Sequence, residues 1–171
     1  MKPTLGQRID VLTRNSLPVL FTLVLILINV IPLHIPGFSR IVPVLPLMAV
    51  YHWAVYRPEL MPPLAVFVIG VVYDMLSGAP LGVNALVFLT VYGVVLYQQR
   101  FFVGRSFFIV WFGFGIMALG AAIESWVLVS ILSESIVEPR ALVFQFILNF
   151  GFFPVLAWLF LRWQHLYLRP E

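Results

Sequence analysis

The sequence predicts an all-α polytopic membrane protein, a bundle of six transmembrane helices in one domain covering residues 1–171, and three observations lead there. Hydrophobic residues make up 62% of the chain and charged residues only 10%, whereas ordinary soluble domains carry about a quarter charged residues. Mean hydropathy is +1.04. Its apolar stretches recur at lengths that each match a bilayer crossing of roughly 20 residues. The connections between them are short, so no separate extramembrane domain is expected to carry an activity.

The first apolar run, "LPVLFTLVLILINVIPL", follows Lys2, Arg8 and Arg14. It is longer than a signal-peptide core and leads into "HIPGFSR" rather than a small-x-small cleavage site, so it reads as a retained span. Spans are expected near 17–33, 41–56, 60–76, 82–98, 107–132 and 141–161, between a tail of residues 1–16 and a tail of residues 162–171. Spans two and three open on prolines, in "IVPVLPLMAVYHWAVY" and "MPPLAVFVIGVVYDML". Proline is tolerated in a first helical turn, where its missing N–H would lack a partner anyway. Every other backbone polar group in lipid needs an internal partner, so both segments are expected to be helical, with span two short, kinked or partly re-entrant.

Basic residues set the orientation. Segments on the N-terminal side hold eight (Lys2, Arg8, Arg14, Arg57, Arg100, Arg105, Arg162, Arg169), and the opposite loops hold two (Arg40, Arg140). By the positive-inside rule both termini are expected in the cytoplasm, and Trp53, Tyr56, Tyr97, Trp158, Trp163 and Tyr167 fall near the same interface. No internal repeat is visible, and the two halves do not mirror each other as inverted-repeat transporters do.

An ionisable residue inside a span costs several kcal/mol unless paired, neutralised or near water, which makes it a functional candidate. Asp74 lies about 14 residues along span three, roughly 20 Å at 1.5 Å per residue. Glu124 in span five, Asn29 late in span one and Asn84 early in span four fall at similar depth. The four are expected to meet around a shared polar pocket under the outer surface. The plainer alternative is that the carboxylates reach interfacial water and the asparagines hydrogen-bond their own helices.

Between spans three and four, Ser77, Gly78, Pro80, Leu81 and Gly82 make a tight turn, with Asn84 placed to accept a hydrogen bond at the start of the next helix. Asp74 meets the negative end of its own helix dipole there. That unfavourable placement points to a tertiary partner: Asn84, the first amides of span four, Arg140 or Arg40. In span five, Gly115, Ala118, Ala122 and Ser125 share one face, while Gly113, Gly120 and Glu124 fall opposite. Small residues at this spacing let membrane helices approach closely, either for packing within the bundle or at a partner interface.

Catalysis is not expected. Tyr73-Asp74 resembles the "YD" of intramembrane aspartyl proteases, but that chemistry needs two aspartates, and the other aspartate is Asp10 in the N-terminal tail. No serine motif accompanies His34, His52 or His165. The chain has no cysteine, and two carboxylates without a histidine make a poor metal site. No cofactor, metal or nucleic acid is expected.

The stretch "YHWAVYRPELMPPLAVFVIGVVYDMLSGAPLGVNAL" resembles the signature of the rod shape-determining protein MreD family. The likeness rests on Trp53, Arg57, Pro58, Gly70, Asp74, Gly78, Pro80, Leu81, Gly82, Ala85 and Leu86. The resemblance implies a multi-pass protein of the bacterial inner membrane that works in the cell-elongation (rod) complex with the bitopic protein MreC, the filament MreB, the glycosyltransferase RodA and a class B penicillin-binding protein. It implies a scaffolding or regulatory role in peptidoglycan synthesis and rod shape. It also implies a fold similar to the substrate-binding subunits of energy-coupling-factor transporters, which supplies the competing function of vitamin binding. Such subunits dock their transmembrane partner through an alanine-spaced first helix, and span one holds no alanine. Its bulky Leu/Val/Ile flank suits a partner's single helix better.

Overall fold

The computed structural model describes residues 5–31, 42–134 and 140–167, with side chains described for 16–31, 42–134 and 140–163. The described residues form six α-helices: α1 (Leu5–Val30), α2 (Leu45–Tyr56), α3 (Pro63–Ser77), α4 (Val83–Phe102), α5 (Phe107–Leu132) and α6 (Arg140–Tyr167). A short 3-10 turn, Pro58–Leu60, links α2 to α3. Prolines open α2 and α3 within their first turns, as expected. Three helices are long and apolar enough to cross a bilayer, Val83–Phe102, Phe107–Leu132 and Arg140–Trp163; Ser16–Val30 and Pro63–Ser77 are shorter apolar helices.

The helix bounds depart from the expected spans mainly at the ends. α1 begins at Leu5, so the tail assigned to residues 1–16 is largely helical, and α6 continues through Tyr167 into the expected C-terminal tail. α2 has 12 residues rather than the expected 16 of 41–56. At 1.5 Å per residue it is about 18 Å long, well under the roughly 30 Å of a hydrocarbon core.

This short helix is the centre of the bundle. Pro46 through Val55 are all buried, since α1, α3, α4 and α6 pack around it and α5 reaches it through Tyr51. The ring closes where Phe21 of α1 meets Phe160 and Trp163 of α6, at centroid distances of 5.4 and 5.1 Å. A helix that is apolar all round belongs inside. Tyr51 sets its edge against Phe102, Phe114 and Phe153 and donates its hydroxyl to the Val110 carbonyl at 2.9 Å. Phe114 and Phe153 stack 4.2 Å apart, joining α5 to α6. The phenol thereby satisfies its one polar atom inside an apolar core.

Outward-facing positions are bulky and apolar. Leu20, Val24, Leu27 and Ile28 make an exposed stripe along α1, continued by Ile31 just past its end, and Ile116, Ile123 and Ile131 do so on α5. Large contiguous apolar surface of this kind is rare on soluble monomers and normal where lipid is the solvent. Arg57, Arg100, Arg105 and Arg162 all lie at the end of the bundle opposite the α3–α4 turn.

Candidate functional site: the α3–α4 lock and the cavity beside it

Asp74 is fully buried, although it is the last ionisable residue before a turn. The turn itself needs two residues with left-handed backbone. Gly78 (φ 72°) ends α3 and Gly82 (φ 95°) begins α4, a region that residues with a Cβ avoid. The chain then reverses so tightly that the carboxylate of α3 faces the first amides of α4. Asp74 Oδ2 accepts from the Gly82 N–H at 2.9 Å and the Ala85 N–H at 3.4 Å. Oδ1 accepts from the Asn84 N–H at 3.0 Å and from the Asn84 side-chain amide at 2.8 Å.

The acceptor at the start of α4 is therefore Asp74, and Asn84 donates to it; the expectation that Asn84 would accept there is corrected. A carboxylate reaching back from the preceding helix does what an N-cap side chain does locally, satisfying amides that have no intrahelical partner. Its placement at the negative end of α3 is offset by the positive end of α4. Neither Arg140 nor Arg40 is needed for this, and Arg40 lies outside the described residues.

One turn earlier on the same face of α3, Gly70 lies directly against the backbone of Ala85. A Cβ on Gly70 would overlap the Ala85 Cα and sit 2.7 Å from its nitrogen. Gly70 sets the distance between the two helices, and Asp74 sets their register. Pro80 and Leu81 complete the turn, with Leu81 exposed at its tip.

The other two polar residues singled out above go elsewhere. Asn29 donates to the Pro43 carbonyl at 2.6 Å, and Glu124 accepts from the Thr90 hydroxyl at 2.9 Å on the outer surface between α4 and α5. Similar height along the bundle does not bring side chains together when they sit at different angles around it. Asp74 and Asn84 meet; Asn29 and Glu124 do not join them.

Asn29 belongs to a second polar feature. Residues 42–44 enter the bundle in non-helical form, leaving backbone groups that a low-dielectric surrounding does not satisfy. Three side-chain amides supply partners: Asn29 from α1, and from α6 Asn149, whose Oδ1 accepts the Val44 N–H at 2.7 Å, and Gln145, which donates to the Val42 carbonyl at 3.4 Å. Gln145 and Asn149 escaped the sequence reading. The signal was two amides four residues apart in an apolar run, one face of a helix. Asn149→Leu is expected to cost about 1–3 kcal/mol, the penalty for orphaning a buried N–H, read as a lower thermal unfolding midpoint in detergent with secondary structure retained.

Between the α3–α4 lock and this amide clasp lies a cavity of about 640 Å³, within the range of ligand-sized sites. Its floor is the start of the short central helix, at Val44 and Leu47, and Ser77, Asn84, Gln145 and Asn149 supply much of its polar lining. Its α5 wall is Ala118, Ala121, Ala122 and Ser125. Of the small-residue face on α5, Gly115 packs against α6, where an added Cβ would meet the Phe150 ring at 2.8 Å, and Ala118 is buried in the core cluster. Ala118, Ala122 and Ser125 also line the cavity. On the opposite side Gly113 takes the rings of Phe102 and Tyr51, and Gly120 is open.

The family model described as rod shape-determining protein MreD matches residues 10–163. The chain belongs to the MreD family. No curated protein and no solved structure matches it. Membership makes this a membrane protein with a part in rod shape determination. Among the eleven residues that carry the resemblance to the MreD signature, Gly70, Asp74, Gly78, Pro80, Gly82 and Ala85 form one helical hairpin lock in three dimensions.

Proposed function

We propose that this MreD protein is a non-catalytic scaffold of the bacterial cell-elongation complex that binds MreC and so supports peptidoglycan synthesis and rod shape. MreB, RodA and a class B penicillin-binding protein are its further partners in that complex. It spans the inner membrane six times, with both termini in the cytoplasm. The basic end of the bundle faces the cytoplasm, and the end carrying the α3–α4 turn faces outward.

The observation that carries this reading is the cavity at the turn end. Its lining mixes the polar groups of Ser77, Asn84, Ser125, Gln145 and Asn149 with apolar side chains, and its amides suit a peptide backbone, which offers both N–H and C=O groups. A segment of MreC next to its membrane helix fills it. The exposed Leu20, Val24, Leu27 and Ile28 stripe of α1, with Ile31 just beyond it, gives that membrane helix an apolar flank. Family membership favours this over a vitamin-binding subunit.

Ser125→Phe, which fills the cavity from a partly exposed position of α5, is expected to reduce MreC co-purification about tenfold or more, a loss of about 1.4 kcal/mol, with the unfolding midpoint unchanged. Full retention of MreC by this variant defeats the cavity as the docking site. Co-purification of an ATPase transport module in place of MreC defeats the scaffold.

A further inference from the structure

The basic end of the bundle holds a second concavity. A groove of about 430 Å³ runs between α4 and α5, walled by Phe101, Phe102, Phe108, Phe112 and Ile116. Phe101, Phe108, Phe112 and Ile116 are each more than half exposed, so the groove opens to the surroundings of the bundle rather than into its core. Gln98 and Phe101 also border a shallower depression completed by Tyr97 and Arg100. The guanidinium of Arg105 stands 5.6 Å from the centroid of the Phe101 ring. Both arginines are exposed. The ion pair between described residues is Arg57 with Glu59, at 3.0 Å; neither Arg100 nor Arg105 has a carboxylate partner among the described residues.

An aromatic trough with the Arg105 guanidinium against its Phe101 wall and Arg100 in the depression that shares Gln98 and Phe101 with it matches one class of ligand. Its apolar walls exclude a free ion from the trough, and its mouth favours negative charge. Arginine pairs with phosphate oxygens through a fixed fork of donors. Basic sites between membrane helices select anionic head groups. We propose that the α4/α5 groove binds an anionic phospholipid, with an acyl chain between the phenylalanine walls and the phosphate held by Arg100 and Arg105. This site is separate from the cavity at the turn end and does not depend on MreC binding.

The test is lipid binding by the full chain in detergent, read by native mass spectrometry, with phosphatidylglycerol and phosphatidylcholine of the same chain length. The wild type is expected to prefer phosphatidylglycerol, and the double variant Arg100→Gln/Arg105→Gln to lose roughly ten- to thirtyfold of that preference. Phe108→Ala/Phe112→Ala is expected to weaken both lipids without altering the preference. Arg162→Gln removes a cation at the same end, beside Trp158, and is expected to leave the preference intact. Equal binding of the two lipids overturns the proposal. So does an effect of Arg162→Gln as large as that of the double variant, which shows diffuse charge attraction. Displacement of the lipid by inorganic phosphate also overturns it, since it reduces the site to an anion subsite.

Discussion

Asp74→Ala is expected to unlock the α3–α4 hairpin and lower the unfolding midpoint by about 6–12 °C. The substitution removes four hydrogen bonds at once and leaves the Gly82, Asn84 and Ala85 amides without their acceptor. Bonds to a charged acceptor are worth about 1.5–3 kcal/mol each, but keeping a carboxylate away from water takes back much of that. A net loss of about 3 kcal/mol remains, and in a chain of this length each kcal/mol moves the midpoint by about 2–4 °C. Asp74→Asn keeps an acceptor oxygen but no charge, and about half the loss is expected. Thermal unfolding in a mild detergent separates the two variants, and MreC co-purification should fall with Asp74→Ala. An alanine variant as stable as the wild type would show that water or another group caps α4 equally well.

Gly70→Ala is expected to be nearly as damaging, although it adds a single methyl group. The new Cβ meets the Ala85 backbone, which cannot swing aside as a side chain does. The helices must part or shear, at about 1–3 kcal/mol or more, and any separation also stretches the Asp74 bonds one turn above. Because the collision is with backbone atoms, Ala85→Gly should not rescue it. Gly115 offers the contrasting case. A methyl there meets the edge of the Phe150 ring, so Gly115→Ala is expected to recover when combined with Phe150→Leu. Unfolding midpoints of the two pairs of variants check this, and rescue of Gly70→Ala by Ala85→Gly would refute the close backbone approach.

Helix α5 was legible in the sequence to the residue, from Phe107 to Leu132, because its apolar run is long and bounded by Ser106 and Ser133. The turn at Gly78 to Gly82 was legible too, since few other residues adopt that backbone. Asp74 announced itself by being in the wrong place for its own helix, and the capped amides of α4 supply the reason. What the linear text could not give was azimuth. Asn29 and Glu124 share a depth with Asp74 but point around the bundle toward Pro43 and Thr90. The central position of α2 was equally hidden, because in lipid an apolar segment reads the same whether it faces tails or other helices. The cavity arises from that short centre together with small residues on α5, a property of no single segment.

The bond between Val44 and Asn149 joins positions 105 residues apart, which bears on how such a chain is made. As translation proceeds from the N-terminus, the middle of the protein is synthesised long before the helix that must finish it. Until the last helix is made, the Val44 N–H lacks the Asn149 acceptor that it uses in the folded chain. The entry to the central helix is therefore completed only once the final helix, the keystone of the arch, is in place.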